Sequence, residues 1–339
     1  MSQRNLLHAT KTWEYAHNTM KLKTLFKHAV DIGISADPRG AKAVEKILKK
    51  QQERAKKLEG AEKEYFDIER TWNPFADTRI IAGTGEEEVK HLLVGIDIET
   101  PEVLLADRLR EKGMKIDALF IHHPEGRALG DLEKMLPMQV DVLALAGVPV
   151  NISEGFLKPR IERVMRAIHP DNLFRTERVA ELLGFPAMTC HTACDNLVWT
   201  LMTKTICNKE YDSLDDVVNA LLKVPEYAWY AKKGNPPLIV HGAKNSRPGR
   251  VVASEFTGGT NGPEEFISAQ SHAGVGTILT MHATEKSLEK AQECHVNIIQ
   301  CSHMASDAIG MNMMLDRLSK LEKNLTTLEI SGFVRVKRK

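Results

Sequence analysis

The sequence predicts an α/β protein with an N-terminal helical extension, and three observations carry that prediction. Residues 1 to about 74 are rich in Lys and Glu, with apolar residues recurring at helical spacing. Beyond Trp72-Asn73-Pro74, short β-branched runs alternate with helix-patterned stretches, the signature of strands and helices layered on each other. The alternation is also repeated. The run from Asp117 to His123 and the run from Gly276 to His282 reach their histidines at equal spacing, which predicts an internal duplication.

Taken in order, Asp37-Pro38 predicts the start of a long helix, with Asp as N-cap and Pro in the first turn. Val44, Leu48, Leu58, Ala61, Tyr65 and Ile68 form its apolar stripe. That stripe is expected to pack on the α/β body or on a neighbouring subunit, so the extension is expected to serve assembly rather than chemistry. Val89 to Ile96 reads as a strand, Pro101 to Lys112 as a helix stopped by Gly113, and Ile116 to Ile121 as a strand running into His122-His123-Pro124. Gly184 to Cys190 is a strand leading into His191-Thr192-Ala193-Cys194-Asp195 and a helix over Asn196 to Cys207. A Pro/Gly-rich connection follows around Asn235-Pro236-Pro237 and Arg247-Pro248-Gly249. The order then returns: strand Arg250 to Phe256, helix Pro263 to His272, strand Gly276 to Met281 ending at His282. Val296 to Ser302 runs likewise into His303-Met304-Ala305-Ser306-Asp307 and the helix Ala308 to Leu318. Gly258-Gly259-Thr260 fits no phosphate-binding fingerprint and reads as an ordinary turn. The expected units are residues 1–74, 75–210, 211–249 and 250–339.

At 339 residues the chain has room for about two ordinary cores. Its 46 basic and 45 acidic residues give no global electrostatic case for nucleic acid or membrane, and the basic tail Arg335 to Lys339 reads as solvated. There is no apolar run of about 18 residues, and Arg4, His8, Lys11 and Glu14 interrupt any signal-peptide core. A soluble cytoplasmic protein is expected. Five cysteines, an odd number set in apolar segments, read as reduced thiols.

The chemistry lies at the strand ends. In α/β folds these converge on one crevice outside the sheet, and here three of them carry imidazole with carboxylates nearby. Neutral imidazole and carboxylate suit Zn, Fe or Mn, and two such ions can share a bridging carboxylate and lower the pKa of water. The expected metal ligands are His122, His123, Asp195, His303 and Asp307, with His191 and His282 as catalytic proton-transfer or ligand-orienting groups. Cys190, Cys194 and Cys301 lie near the histidines but lack the spacing of a structural zinc pair, and read as small core residues. Lys244, Arg247 and Arg250 read as a solvated basic loop rather than a phosphate site.

Four blocks in this order, Asp117-Ala-Leu-Phe-Ile-His-His-Pro124, His191-Thr-Ala-Cys-Asp195, Val251 to Gly259 and Ile299 to Asp307, resemble the Nif-three-like dinuclear metal-binding family, the type-two GTP cyclohydrolase-like homologues. The resemblance covers most of residues 75–320. It implies two intertwined α/β repeats with mixed sheets, a two-metal site in the cleft, and ring-like homo-oligomers, commonly hexamers. Carried over residue by residue, it selects the same five ligands. Two departures stand out. The family usually has Glu where this chain has Asp307, so a carboxylate one methylene shorter is expected to serve the two ions unequally. The extension to residue 74 has no counterpart in the compact members, and the middle insertion is shorter than in the longer ones. The function expected is a metal-dependent hydrolase acting on a nucleotide or similar small molecule, GTP cyclohydrolase-like by resemblance. The alternative is a metal-binding regulatory or scaffold protein without catalysis, which a closed site would favour. A third reading is an α/β binding module without metal.

Overall fold

Two mixed sheets organise residues 20–338, the part of the chain that this computed structural model describes. The first repeat supplies strands β1 (Thr78–Ala82), β2 (His91–Gly95), β3 (Ala118–Ile121) and β4 (Ala187–Cys190). The second supplies β5 (Leu238–His241), β6 (Arg250–Glu255), β7 (Val275–Thr280) and β8 (Asn297–Gln300), and β9 (Thr326–Ile330) follows near the C-terminus. Every residue of β3 and β4 is buried, which is why these segments read as continuous apolar runs rather than as alternating ones.

Strand order is β9-β2-β3-β4-β1 in one sheet and β5-β8-β7-β6 in the other. Setting β9 aside, both halves follow one rule. Three strands run parallel in chain order, and the strand preceding them joins antiparallel beside the last. The duplication expected from the histidine spacing is therefore a duplication of topology. The halves are also intertwined, because β9 pairs parallel with β2 and completes the first repeat's sheet.

The helices that matter for the site are α1 (Leu22–Ser35), α2 (Ala41–Lys57), α3 (Val150–Ile168), α4 (Thr192–Met202), α5 (Glu265–His272), α6 (Glu285–Cys294) and α7 (His303–Leu321). Helices α1, α4 and α7 pack on one another with glycine at their crossings. A Cβ at Gly33 would lie 2.6 Å from Ala193 Cβ, and one at Gly310 would lie 2.7 Å from the Cys194 carbonyl oxygen. Both contacts are backbone-close, so any larger side chain must push the helices apart.

Three sequence expectations change here. Leu22, Leu25, Phe26, Ala29 and Val30 of α1 are buried in the main core, so this part of the extension backs the helices that carry Asp195 and Asp307 instead of serving assembly alone. The long amphipathic stripe breaks up: Val44 is buried, yet Tyr65 and Ile68 are 78% and 66% exposed. Helix α2 ends at Lys57 and Leu58 turns extended, so residues beyond it no longer share its face. Asp37 does not cap α2 either. It accepts from Arg39 N and Arg39 Nε, both at 2.9 Å, and the helix starts after Gly40, whose φ of 80° suits glycine. The expected helix over residues 1–19 lies outside the described residues. Among those described, no helix is long and apolar enough to cross a membrane.

Candidate metal centre

Where β3 ends, the chain keeps strand-like bonding for two more residues. His122 N donates to Gly95 O at 3.1 Å and His123 N to Ile96 O at 3.0 Å. Successive side chains of extended backbone turn to opposite sides. His122 is accordingly fully buried while the His123 side chain is 29% exposed. Each ring has one nitrogen already committed: His122 Nδ1 donates to the Cys190 carbonyl at 3.2 Å, and His123 Nδ1 to Asp97 Oδ1 at 2.6 Å. These partners orient both rings with Nε2 facing inward.

Both His-x-x-x-Asp motifs form the first turns of helices, starting earlier than the sequence suggests: α4 begins at Thr192 with His191 as N-cap, and α7 at His303 itself. The Ser302 side chain caps α7 by accepting from Ala305 N. A four-residue step then brings His303 and Asp307 to one helix face. Asp307 faces two ways. Its Oδ1 lies 3.4 Å from His122 Nε2, and its Oδ2 lies 3.5 Å from His123 Nε2 and 3.4 Å from His303 Nε2. Asp195 Oδ1 is 3.4 Å from His122 Nε2. The result is two triads, His122-Asp195-Asp307 and His123-His303-Asp307, whose ligand atoms lie within 4.8 Å of one another. A third grouping of the same kind joins His122, His123 and His191.

The donor atoms fit a metal. His122 Nε2, Asp195 Oδ1 and both oxygens of Asp307 are buried without a hydrogen-bond partner, a costly arrangement unless something else satisfies them. Nitrogen and carboxylate oxygen converging on one point suit Zn, Fe or Mn. Each Asp307 oxygen faces a different histidine set, Oδ1 toward His122 and Oδ2 toward His123 and His303.

The electrostatics are just as divided. Burial works against the Asp307 anion, but His122, His123 and His303 around it hold its carboxyl well below the usual range. Burial pushes Asp195 up to about 6. Burial opposes the charge on His123, yet Asp307 and Asp97 raise it to about 10, whereas burial takes His303 down to about 4.

The two histidines expected to move protons also lie here. His191 Nδ1 donates to Asp77 Oδ2 at 2.8 Å, and its Nε2 is 3.8 Å from Asp195 Oδ2. Burial opposes protonation of His191, and Asp195 and Asp77 outweigh it to raise the pKa. His282 Nδ1 donates to Asn261 Oδ1 at 2.7 Å, and its ring centroid is 4.2 Å from that of His303. Burial lowers the pKa of His282. His123, His191, Asp195, His282 and His303 line one cavity of about 240 Å³.

No protein-family profile matches the chain, and no curated protein does. Solved structures do match. A NIF3 superfamily protein from Sphaerobacter thermophilus aligns with a TM-score of 0.68 at 25% identity, covering 86% of this chain and 98% of that one. This chain is thus similar to a NIF3 superfamily protein over most of its length. Reduced HcgD from Methanocaldococcus jannaschii also aligns, at a TM-score of 0.46 and 14% identity over 77% of this chain and 95% of that one.

Several residues of this NIF3-like site escape the sequence reading. Asp77 and Asp97 hold His191 and His123. Glu255, at the end of β6, accepts from Thr280 Oγ1 at 2.7 Å and lines the cavity, where burial raises its pKa. Within the bend Gly258-Gly259-Thr260, Gly259 and Thr260 line the cavity, both glycines have left-handed φ, 95° and 90°, and a Cβ at Gly258 would lie 2.9 Å from Gln139 Cγ. The basic loop behaves as expected, with Lys244 and Arg247 exposed and Arg250 donating to the Ala146 carbonyl at 3.1 Å. All five cysteines are free. Cys190 and Cys194 sit 3.5 Å apart in the core behind His122, and burial pushes the Cys194 thiol well up.

Proposed function

We propose that this NIF3-like chain is a metal-dependent hydrolase with a dinuclear site. His122, Asp195 and Asp307 hold one divalent ion, and His123, His303 and Asp307 the other. The observation that carries the reading is the pair of Asp307 oxygens, buried without hydrogen-bond partners and each facing a separate histidine set. Bound divalent ions supply Lewis acidity and make water nucleophilic near neutral pH. The protein's own residues do the rest. Asp97 and the Cys190 carbonyl orient the ligand rings. His191 and His282 each commit Nδ1 to a fixed acceptor, which leaves Nε2 available to hold or take a proton from a substrate in the cavity.

An open cavity beside the ligands supports catalysis over a purely structural role, since structural metal sites are closed. A substrate of nucleotide type and cyclohydrolase chemistry follow from the family resemblance. Homo-oligomerisation is proposed on the same ground, and light scattering tests it.

The deciding experiment is metal analysis of protein purified without chelator, followed by a hydrolase substrate panel. About two equivalents of Zn, Fe or Mn per chain are expected, with turnover lost on chelation and restored by metal. Protein that binds no metal overturns the reading. Full occupancy with no turnover across the panel moves it to the metal-stabilised scaffold.

A further inference from the structure

Beside the metal cavity lies a second one of about 280 Å³, and Glu255, Thr260, Asn261 and His282 border both. Its outer wall is α3, which presents Arg160 and Arg163 one helical turn apart. Thr284 and Ser287, at the start of α6, face them from the other side. Arginine side chains with acidic neighbours normally pair, as Arg166 on the same helix does with Glu162 at 3.7 Å. Among the described residues neither Arg160 nor Arg163 forms an ion pair, although Glu255 and Glu264 line the same cavity. The sole side-chain hydrogen bond of the two guanidinium groups among those residues runs from Arg160 Nε to the Asn261 carbonyl at 3.0 Å. Burial and the neighbouring Arg163 charge lower the Arg160 pKa, outweighing the opposing pull of Glu264 and Glu255.

We propose that this second cavity is an anion subsite, in which Arg160 and Arg163 bind the phosphate of a phosphorylated small-molecule substrate whose reactive end lies among His123, His191 and His303. Guanidinium groups match phosphate oxygens in shape and charge, and hydroxyls such as those of Thr284 and Ser287 complete such sites. The subsite also touches the metal centre through a short chain of contacts. Arg160 holds the Asn261 backbone, the Asn261 side chain holds His282, and His282 packs against His303.

Calling the ligand a substrate rests on the hydrolase reading; the subsite itself is tested without turnover. Full-length protein, metal-loaded and chelator-treated, is titrated with a nucleoside monophosphate, with the parent nucleoside and with inorganic phosphate, by calorimetry. Arg163→Ala is the deciding variant, because Arg163 is exposed and makes no hydrogen bond that the fold needs. The monophosphate should bind about tenfold or more tighter than the nucleoside, and Arg163→Ala should erase that advantage while Arg166→Ala leaves it intact. Arg163→Glu should abolish phosphate binding. Two results overturn the proposal: no advantage of monophosphate over nucleoside, or an advantage that disappears on chelation and survives Arg163→Ala, which puts the phosphate on the ions. An Arg163-dependent advantage in protein that binds no metal keeps the subsite and removes the hydrolase reading.

Discussion

His191-Asp195 in the first repeat and His303-Asp307 in the second occupy equivalent places, each just past a sheet strand and at the start of a helix, yet they have opposite proton chemistry. His191 has its pKa raised, while His303 has its pKa lowered to about 4. Burial and the neighbouring His282 and His123 lower His303, whereas at His191 Asp195 is joined against burial by a second carboxylate, Asp77, which a neighbouring strand supplies. Strand β1 runs antiparallel to β4 with Thr78 opposite Cys190, so the residue preceding β1, Asp77, comes to rest against His191. Strand β5 plays the same part beside β8, with Leu238 opposite Gln300, but the residues preceding it are Pro236 and Pro237. A carboxylate in one copy and proline in the other give the duplicated motif two different surroundings.

The most drastic way to break this comparison is to remove the layer on which both motifs rest. A chain starting at Asn73 lacks α1, and losing the burial of Leu22, Leu25, Phe26 and Val30 at about 1.5 to 3 kcal/mol each rivals the whole stability of an ordinary domain. Such a chain is expected to lose cooperative melting in circular dichroism; a sharp transition would show that α4 and α7 do not need α1.

Asp307→Ala comes next. It takes an oxygen from each triad, so metal content should fall toward zero, whereas Asp195→Ala should cost one ion of the pair. Elemental analysis decides, and equal losses in the two variants would contradict a shared Asp307. Asp97→Asn removes the partner of His123 Nδ1 and should weaken metal binding about tenfold without unfolding the protein, as competition with a chromogenic chelator will show.

The smallest effect is the most specific. In metal-free protein the raised His191 pKa contributes stability that is fully present below the unfolded imidazole value of about 6.5 and is lost as pH rises through the folded value. His303 has the opposite sign: its contribution is present above about 6.5 and is lost as pH falls toward about 4. Asp77→Asn should lower the His191 pKa in NMR titrations and flatten the first slope while leaving the second unchanged. An unmoved His191 resonance would refute the role given to Asp77.

The strand-end rule that makes His122, His123, His191, His282 and His303 legible in the sequence extends to residues it was not applied to. Asp97 and Glu255 follow or close parallel strands, β2 and β6, in the same manner, and an acidic residue at that position was a readable signal. Asp77 was not readable in this way. It precedes its strand, and only the antiparallel direction of β1 carries the start of one strand to the end of another. The Gly258-Gly259 segment escaped for a different reason: it lies close against Gln139 and matches no phosphate-loop spacing. The helical extension misled because periodicity alone does not say where a face ends, and the turn at Leu58 rotates Tyr65 and Ile68 out into solvent.

The return of β9 to the first sheet has a consequence for synthesis. When the ribosome has made the first repeat, β2 still has an open edge, because its partner Thr326–Ile330 has yet to be translated. The same wait applies to His122, His123 and Asp195, beside which Asp307 comes to lie. Long-range pairing of this kind folds slowly and leaves a bare strand edge exposed meanwhile. During that interval the nascent chain presents a sheet edge to chaperones and to its neighbours on the same message, and residues 303–330 close the sheet and the candidate metal site together.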